Sequence, residues 1–307
     1  MKIGFVSRIG EFPKKEWERE FQITKEKNLS HLELIINYPF FSPSAEESQI
    51  KKIKELSERY DVKLILHLLP NQYRLSKKQI LQMGATKKDI NGFLKNESYL
   101  KDKIFNIASQ DKKVREFSIE EIRKTSELAK KINAKVITIH GGSFSSRENY
   151  QLHLKRTRKI LEQLNYTLDI RLAIENLPTL GHFGNFPNEL PIYAKDLIYL
   201  VSGLENIGIC FDIGHANTIE DPVSFYDKIK KTNKIWNIHI SDNKGDKDDH
   251  LLLGKGNIDF KKFFKELKID KYKGYLSLEL DTWCEPPEKM SKIERIKALR
   301  YIKNQIK

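Results

Sequence analysis

Eight short runs of apolar and β-branched residues recur along the chain, separated by longer amphipathic stretches rich in lysine and glutamate. The runs are "IGFV" (3–6), "LELII" (32–36), "LILHL" (64–68), "VITIH" (136–140), "LAIENL" (172–177), "GICFDIGH" (208–215), "WNIHIS" (236–241) and "YLSLELD" (275–281). Most begin about 30 to 40 residues apart, the length of one strand, one helix and two loops. Strand-like runs alternating with helical patterns predict βα units with parallel strands. Eight such units close most economically into an α/β barrel of the (β/α)8, or TIM, type, here a single domain over residues 1–307. A doubly wound sheet would need a glycine-rich phosphate loop after the first strand, and "SRIGEF" is not one.

Helix signals fall between the runs. Ser118 and Glu121 read as a capping box opening "IEEIRKTSELAKKI", Pro222 follows Asp221 at a helix start, and "KIERIKALRYIKNQI" closes the chain. From His67 to His140 the spacing is roughly twice a normal unit. The surplus, about residues 71–103, is polar and lysine-rich, and it follows the end of a strand where barrel active sites lie. It is read as an insertion, either a lid or substrate-binding segment or a solvated excursion, with Tyr73 and Arg74 as candidate nucleic-acid contacts.

Composition narrows the setting. The chain of 307 residues is 39% hydrophobic and 32% charged, enough for a full-sized core. No apolar run approaches the ~20 residues of a membrane span and the start lacks a secretory layout, so a cytoplasmic protein with no membrane partner is expected. Two cysteines, Cys210 and Cys284, give no disulfide scaffold. The net charge of +13 admits a phosphate-bearing partner, but lysine is interleaved with glutamate along the helical segments, as solvated faces are.

The ionisable residues of the strands share one position. His67, His140, Glu175, Asp212 with His215, His239 and Glu279 all lie at or near the C-terminal ends of the third to eighth strands. A barrel brings these ends to one mouth. Imidazoles and carboxylates crowded there repel or stay desolvated unless a cation joins them, and a divalent metal does so. Asp212 and His215, three apart, present two ligands in different directions. Asp248 and His250, two apart in "DDH", turn to one side of an extended loop, and "GKG" follows directly.

With these residues identified, the chain resembles the xylose isomerase-like TIM barrel superfamily, which contains sugar phosphate isomerases and epimerases and the endonuclease IV type of apurinic-site nuclease. The resemblance covers nearly the whole chain. It is carried by "LELI", "FNIASQDKKVREFSIEEI", "VITIHGGS", "AIENLP", "FDIGHAN", "HISDNKGDKDDHLLLGKGNID" and "SLELD". The isomerase and epimerase branch implies one metal on Glu175, Asp212, His239 and Glu279, the two glutamates serving as the acid–base pair and His215 contacting substrate. The endonuclease IV branch implies three zinc ions: one on His67, His140 and Glu175, one on Glu175, Asp212, His239 and Glu279, and one on His215, Asp248 and His250. All nine ligand positions match in type. The flanking "DIGH" and "HISDNK" differ from that branch, and Glu33 in "HLELII" is more like the isomerases.

The expectation is a metal-dependent sugar or sugar-phosphate isomerase or epimerase, with Glu175 and Glu279 as the acid–base pair and Trp283 packing on the sugar. The alternative is an endonuclease IV-like zinc phosphodiesterase acting on abasic DNA, which would make nucleic acid a partner. A non-catalytic sugar- or metal-binding barrel ranks last. The cofactor expected is one to three divalent ions, zinc first, then manganese, magnesium or cobalt.

Overall fold

The structure is a computed structural model that describes residues 1–9, 14–37, 41–70, 81, 90–91, 94, 103–144, 149–180, 188–280 and 292–306. The bulk of the 71–103 insertion, with Tyr73 and Arg74, lies outside the described residues, as do Trp283 and Cys284.

Eight parallel strands form a closed barrel in sequence order. They are β1 (Lys2–Ser7), β2 (His31–Ile36), β3 (Lys63–Leu68), β4 (Val136–His140), β5 (Arg171–Glu175), β6 (Ile207–Asp212), β7 (Ile235–Ile240) and β8 (Tyr275–Leu278). Closure comes from β1, whose Gly4 pairs with His31 on one side and Ser277 on the other. Between and after the strands run α1 (Trp17–Glu26), α2 (Glu47–Tyr60), α3 (Lys112–Lys131), α4 (Tyr150–Thr167), α5 (Ala194–Val201), α6 (Ile213–Asn217), α7 (Pro222–Ile229), α8 (Phe260–Ile269) and α9 (Lys292–Ile306). The fold is therefore the expected (β/α)8 barrel. No described helix is long and apolar enough to cross a membrane.

Local chemistry sets the boundaries. Asp221 caps α7 by accepting the Ser224 N–H, with Pro222 in its first turn. The capping box at Ser118 is not there: α3 begins at Lys112, where the Asp111 carboxylate accepts the Lys113 N–H. Ser118 lies inside the helix, its hydroxyl donating to the Val114 carbonyl and accepting from the Asn106 N–H. Its side chain thus ties the incoming loop to the helix rather than opening it. Four strands, β5 to β8, also stop short of their apolar runs. In β6 the cause is visible: Asp212 accepts the His215 N–H and starts α6.

The apolar residues divide into two bodies. The larger lies between strands and helices and includes Leu34, Leu66, Ile139, Phe211 and Phe263. The smaller, Ile65, Val136, Ala173, Cys210 and Tyr275, packs together separately. Two residues further along these strands come His67, Thr138, Glu175, Asp212 and Ser277, all buried. The period of two in a strand keeps each pair on the same face, so polar layers sit on this apolar plug toward the C-terminal mouth.

Candidate metal centre

At the mouth the predicted residues form three groups, each with ligand atoms within 4.8 Å of one another: His67, His140 and Glu175; Glu175, Asp212, His239 and Glu279; and His215, Asp248 and His250. Glu175 belongs to two of them. Its Oε2 lies 3.2 Å from His67 Nε2 and 3.8 Å from His140 Nε2. Its Oε1 lies 3.2 Å from His239 Nδ1 and 3.4 Å from His215 Nδ1. The second group closes with Glu279 Oε2 at 2.7 Å and Asp212 Oδ2 at 3.8 Å from His239 Nδ1. In the third, Asp248 Oδ2 lies 3.3 Å from His215 Nε2 and 2.9 Å from His250 Nε2.

Supports behind the groups orient the imidazoles. His140 Nδ1 is 3.3 Å from Glu189 Oε1, which leaves Nε2 facing Glu175. His215 Nδ1 is 2.8 Å from the Asn176 carbonyl, which leaves Nε2 facing Asp248. His239 Nε2 is 3.0 Å from Glu33 Oε1, which leaves Nδ1 toward Glu175, Asp212 and Glu279. An imidazole that spends one nitrogen on a fixed acceptor presents the other as a lone pair, the arrangement common behind metal-binding histidines. Asn176 also pins β6, donating to the Asp212 carbonyl and accepting its N–H, both at 2.8 Å.

The charge balance favours a cation. Burial would raise Glu175, but His239 and His67 beside it outweigh that and hold it well below the usual carboxylate range. Burial pushes Asp212 up to about 6, opposed by His215 and reinforced by the Glu175 and Glu279 charges. For His215, burial is outweighed by Asp212, Asp248 and Glu175, which raise it to about 10. These carboxylates draw positive charge onto whatever shares the mouth with them. Among the described residues, His67 Nδ1 and Nε2, Glu175 Oε2, Asp212 Oδ2, Asp248 Oδ1 and Glu279 Oε2 are buried without a hydrogen-bond partner. Each such atom costs about 1–3 kcal/mol. Imidazole nitrogens and carboxylate oxygens in this arrangement fit a divalent ion.

The segment carrying Asp248 and His250 is held shut by residues that the sequence reading did not single out. Asp242 Oδ2 accepts the N–H groups of Gly254 and Gly256, both at 2.8 Å, and Asp242 Oδ1 accepts those of Asn243 and Ile258. The Asp242 and Leu251 backbones exchange two hydrogen bonds across the loop. "GKG" is needed here: a Cβ on Gly256 would collide with the Asn243 carbonyl and the Asp242 carboxylate, and Gly254 has φ +82°. Asp242 was legible only as one acid among several. Glu189, a support of His140, carried no signal at all, standing 49 residues from its partner.

Residues 21–301 match the model of a family described as xylose isomerase-like TIM barrel. An uncharacterized protein of Methanocaldococcus jannaschii is 29% identical over 238 residues, 75% of this chain and 68% of its own. A probable endonuclease 4 of Mycobacterium leprae is 29% identical over 172 residues, 54% of this chain and 66% of its own. The matched stretches thus span about two thirds of these relatives. A solved structure described as a D-tagatose 3-epimerase-like protein superposes with a TM-score of 0.71 at 25% identity, covering 100% of both chains.

Proposed function

Because the chain belongs to the xylose isomerase-like TIM barrel family, we propose that it is a metal-dependent enzyme acting at the C-terminal mouth of the barrel, and that its reaction is hydrolysis of a phosphodiester. The sequence led with isomerase or epimerase chemistry. One observation supports placing the hydrolase first: His215, Asp248 and His250 form a third candidate ligand group beside the other two. A one-ion proton transfer between Glu175 and Glu279 has no use for Asp248 and His250, whereas phosphodiester cleavage uses clustered ions.

In this reading Glu175 joins two groups, one carboxylate oxygen directed to His67 and His140 and the other to His239. Glu279 and Asp212 complete the middle group, and Asp248 spans His215 and His250. These residues would hold divalent ions, zinc first, whose Lewis acidity would activate water and neutralise charge on phosphate oxygens. The protein's own part is to fix ligand directions through Glu33, Asn176 and Glu189 before substrate arrives. Abasic DNA is the substrate class that the resemblance to the endonuclease IV type implies, and a probable endonuclease 4 is among the relatives.

The second reading is a sugar or sugar-phosphate epimerase or isomerase with one ion on Glu175, Asp212, His239 and Glu279, and His215 on the substrate. It is favoured by the epimerase-like structure that covers the whole chain, and by Glu175 and Glu279 each having a buried oxygen without a hydrogen-bond partner. The deciding experiment pairs metal analysis with two assays on purified protein: nicking of a duplex with a single abasic site, and epimerisation of a panel of ketoses. Three ions per chain with nicking that is lost in Glu175→Gln supports the hydrolase. A single ion retained in Asp248→Ala and His250→Ala, with ketose turnover, replaces it by the epimerase.

A further inference from the structure

We infer that Glu33 is a positioning residue: at the end of a buried array of hydrogen bonds starting at His31, its carboxylate holds a proton on Nε2 of His239 and so turns Nδ1 into the middle ligand group. The inference rests on the metal-centre reading above for its functional meaning.

The array crosses the barrel interior through β2, β8 and β7. His31 Nε2 is 2.9 Å from Ser277 Oγ, Ser277 Oγ donates to Asn237 Oδ1 at 3.0 Å, and Asn237 Nδ2 donates to Glu33 Oε2 at 2.7 Å. Glu33 Oε1 accepts from Thr138 Oγ1 at 3.0 Å and faces His239 Nε2 at 3.0 Å. His31, Glu33, Thr138, Asn237, His239 and Ser277 are all fully buried.

Chemistry fixes the direction of each link. An ionised carboxylate only accepts, so Asn237 must turn its amide NH2 to Glu33 and its oxygen to Ser277. Ser277 has one hydroxyl proton and spends it on Asn237, so its oxygen accepts from His31 Nε2–H. All the hydrogen bonds therefore run toward Glu33, and His239 Nε2 can satisfy it only as a donor. Glu33 also lies near His67 and His239 as a further set of candidate ligands. Three donors already reach its two oxygens, which suits a residue that supports a ligand.

Two measurements on the full chain test this. The first is zinc affinity by competition with a chromophoric chelator. Glu33→Gln, which keeps the shape and removes the charge, is expected to weaken binding about 10–100-fold, as loss of an outer support does. Glu33→Asp is expected to recover part of it. Binding within twofold of the unsubstituted chain in a folded Glu33→Gln overturns the inference. The second measurement needs no Glu33 variant: in 15N-histidine NMR, the signals lost in His239→Asn are expected to include a protonated Nε2. An unprotonated Nε2 overturns the array. This readout applies with or without zinc, so a chain that binds no metal refutes the metal centre while the array is still judged.

Discussion

The Asp242 carboxylate accepts the backbone N–H of Gly256 across the loop that carries Asp248 and His250, at 2.8 Å. It takes three further backbone N–H groups from Asn243, Gly254 and Ile258. Four donors converging on one buried side chain make Asp242 the anchor of the third candidate ligand group, although it is not one of that group's three residues.

Asp242→Asn replaces an acceptor-only group with one whose NH2 must face donors. A loss of about 1–3 kcal/mol in unfolding free energy is expected, the cost of an unsatisfied buried group. Metal analysis should find the ion of the His215, Asp248 and His250 group lost first. Retention of all ions at full affinity would show that the loop is held by other means.

Asp248→Ala is expected to lower kcat/KM for abasic-site nicking by at least ~10²-fold, about 2.7 kcal/mol of transition-state stabilisation, while the barrel still melts cooperatively. Steady-state kinetics on the duplex checks it. The epimerase reading expects ketose turnover to survive the same substitution.

Removing metal should destabilise the fold. The carboxylates and imidazoles of the mouth then face one another with several buried atoms lacking partners. An ion present at ~100 times its Kd adds about 2.7 kcal/mol by mass action. Calorimetry with a strong chelator should show a lower Tm that returns on adding back zinc.

His31 gives the apoprotein a pH signature. Burial lowers it from 6.5 to about 3, against the raising effect of Glu33. Its neutral form is thus favoured in the folded chain, and the unfolded chain binds the extra proton between these two values. The contribution of His31 is complete above pH 6.5 and declines as pH falls toward 3, by about 1.4 kcal/mol at pH 5.5. Urea unfolding of chelated protein at pH 7 and 5.5 should show this loss, and His31→Gln should lack that part of it.

The barrel was legible because buried parallel strands leave uninterrupted apolar runs, and the candidate ligands because they recur at the ends of those runs. Helix starts were harder to read. Ser118 and Glu121 have capping spacing, yet Asp111 opens α3 seven residues earlier, since Ser118 is engaged by Val114 and Asn106. The supporting residues were illegible for another reason. Glu33 meets His239 across 206 positions, and Asn176 meets Asp212 across 36. Pairing of β5 with β6 brings the second pair together, and closure of the barrel the first.

That closure has a kinetic side. The strand that completes the ring, β8, pairs with β1 from opposite ends of the chain, and Glu279 follows it directly. Contacts of such sequence separation form slowly, because the loop entropy is lost before they are gained. A chain in which β8 has yet to dock would hold the other candidate ligands, Glu175 and Asp212 among them, without Glu279. In the proposed metal centre, ion uptake is expected to be complete only once β8 has docked, which would make it a reporter of that step.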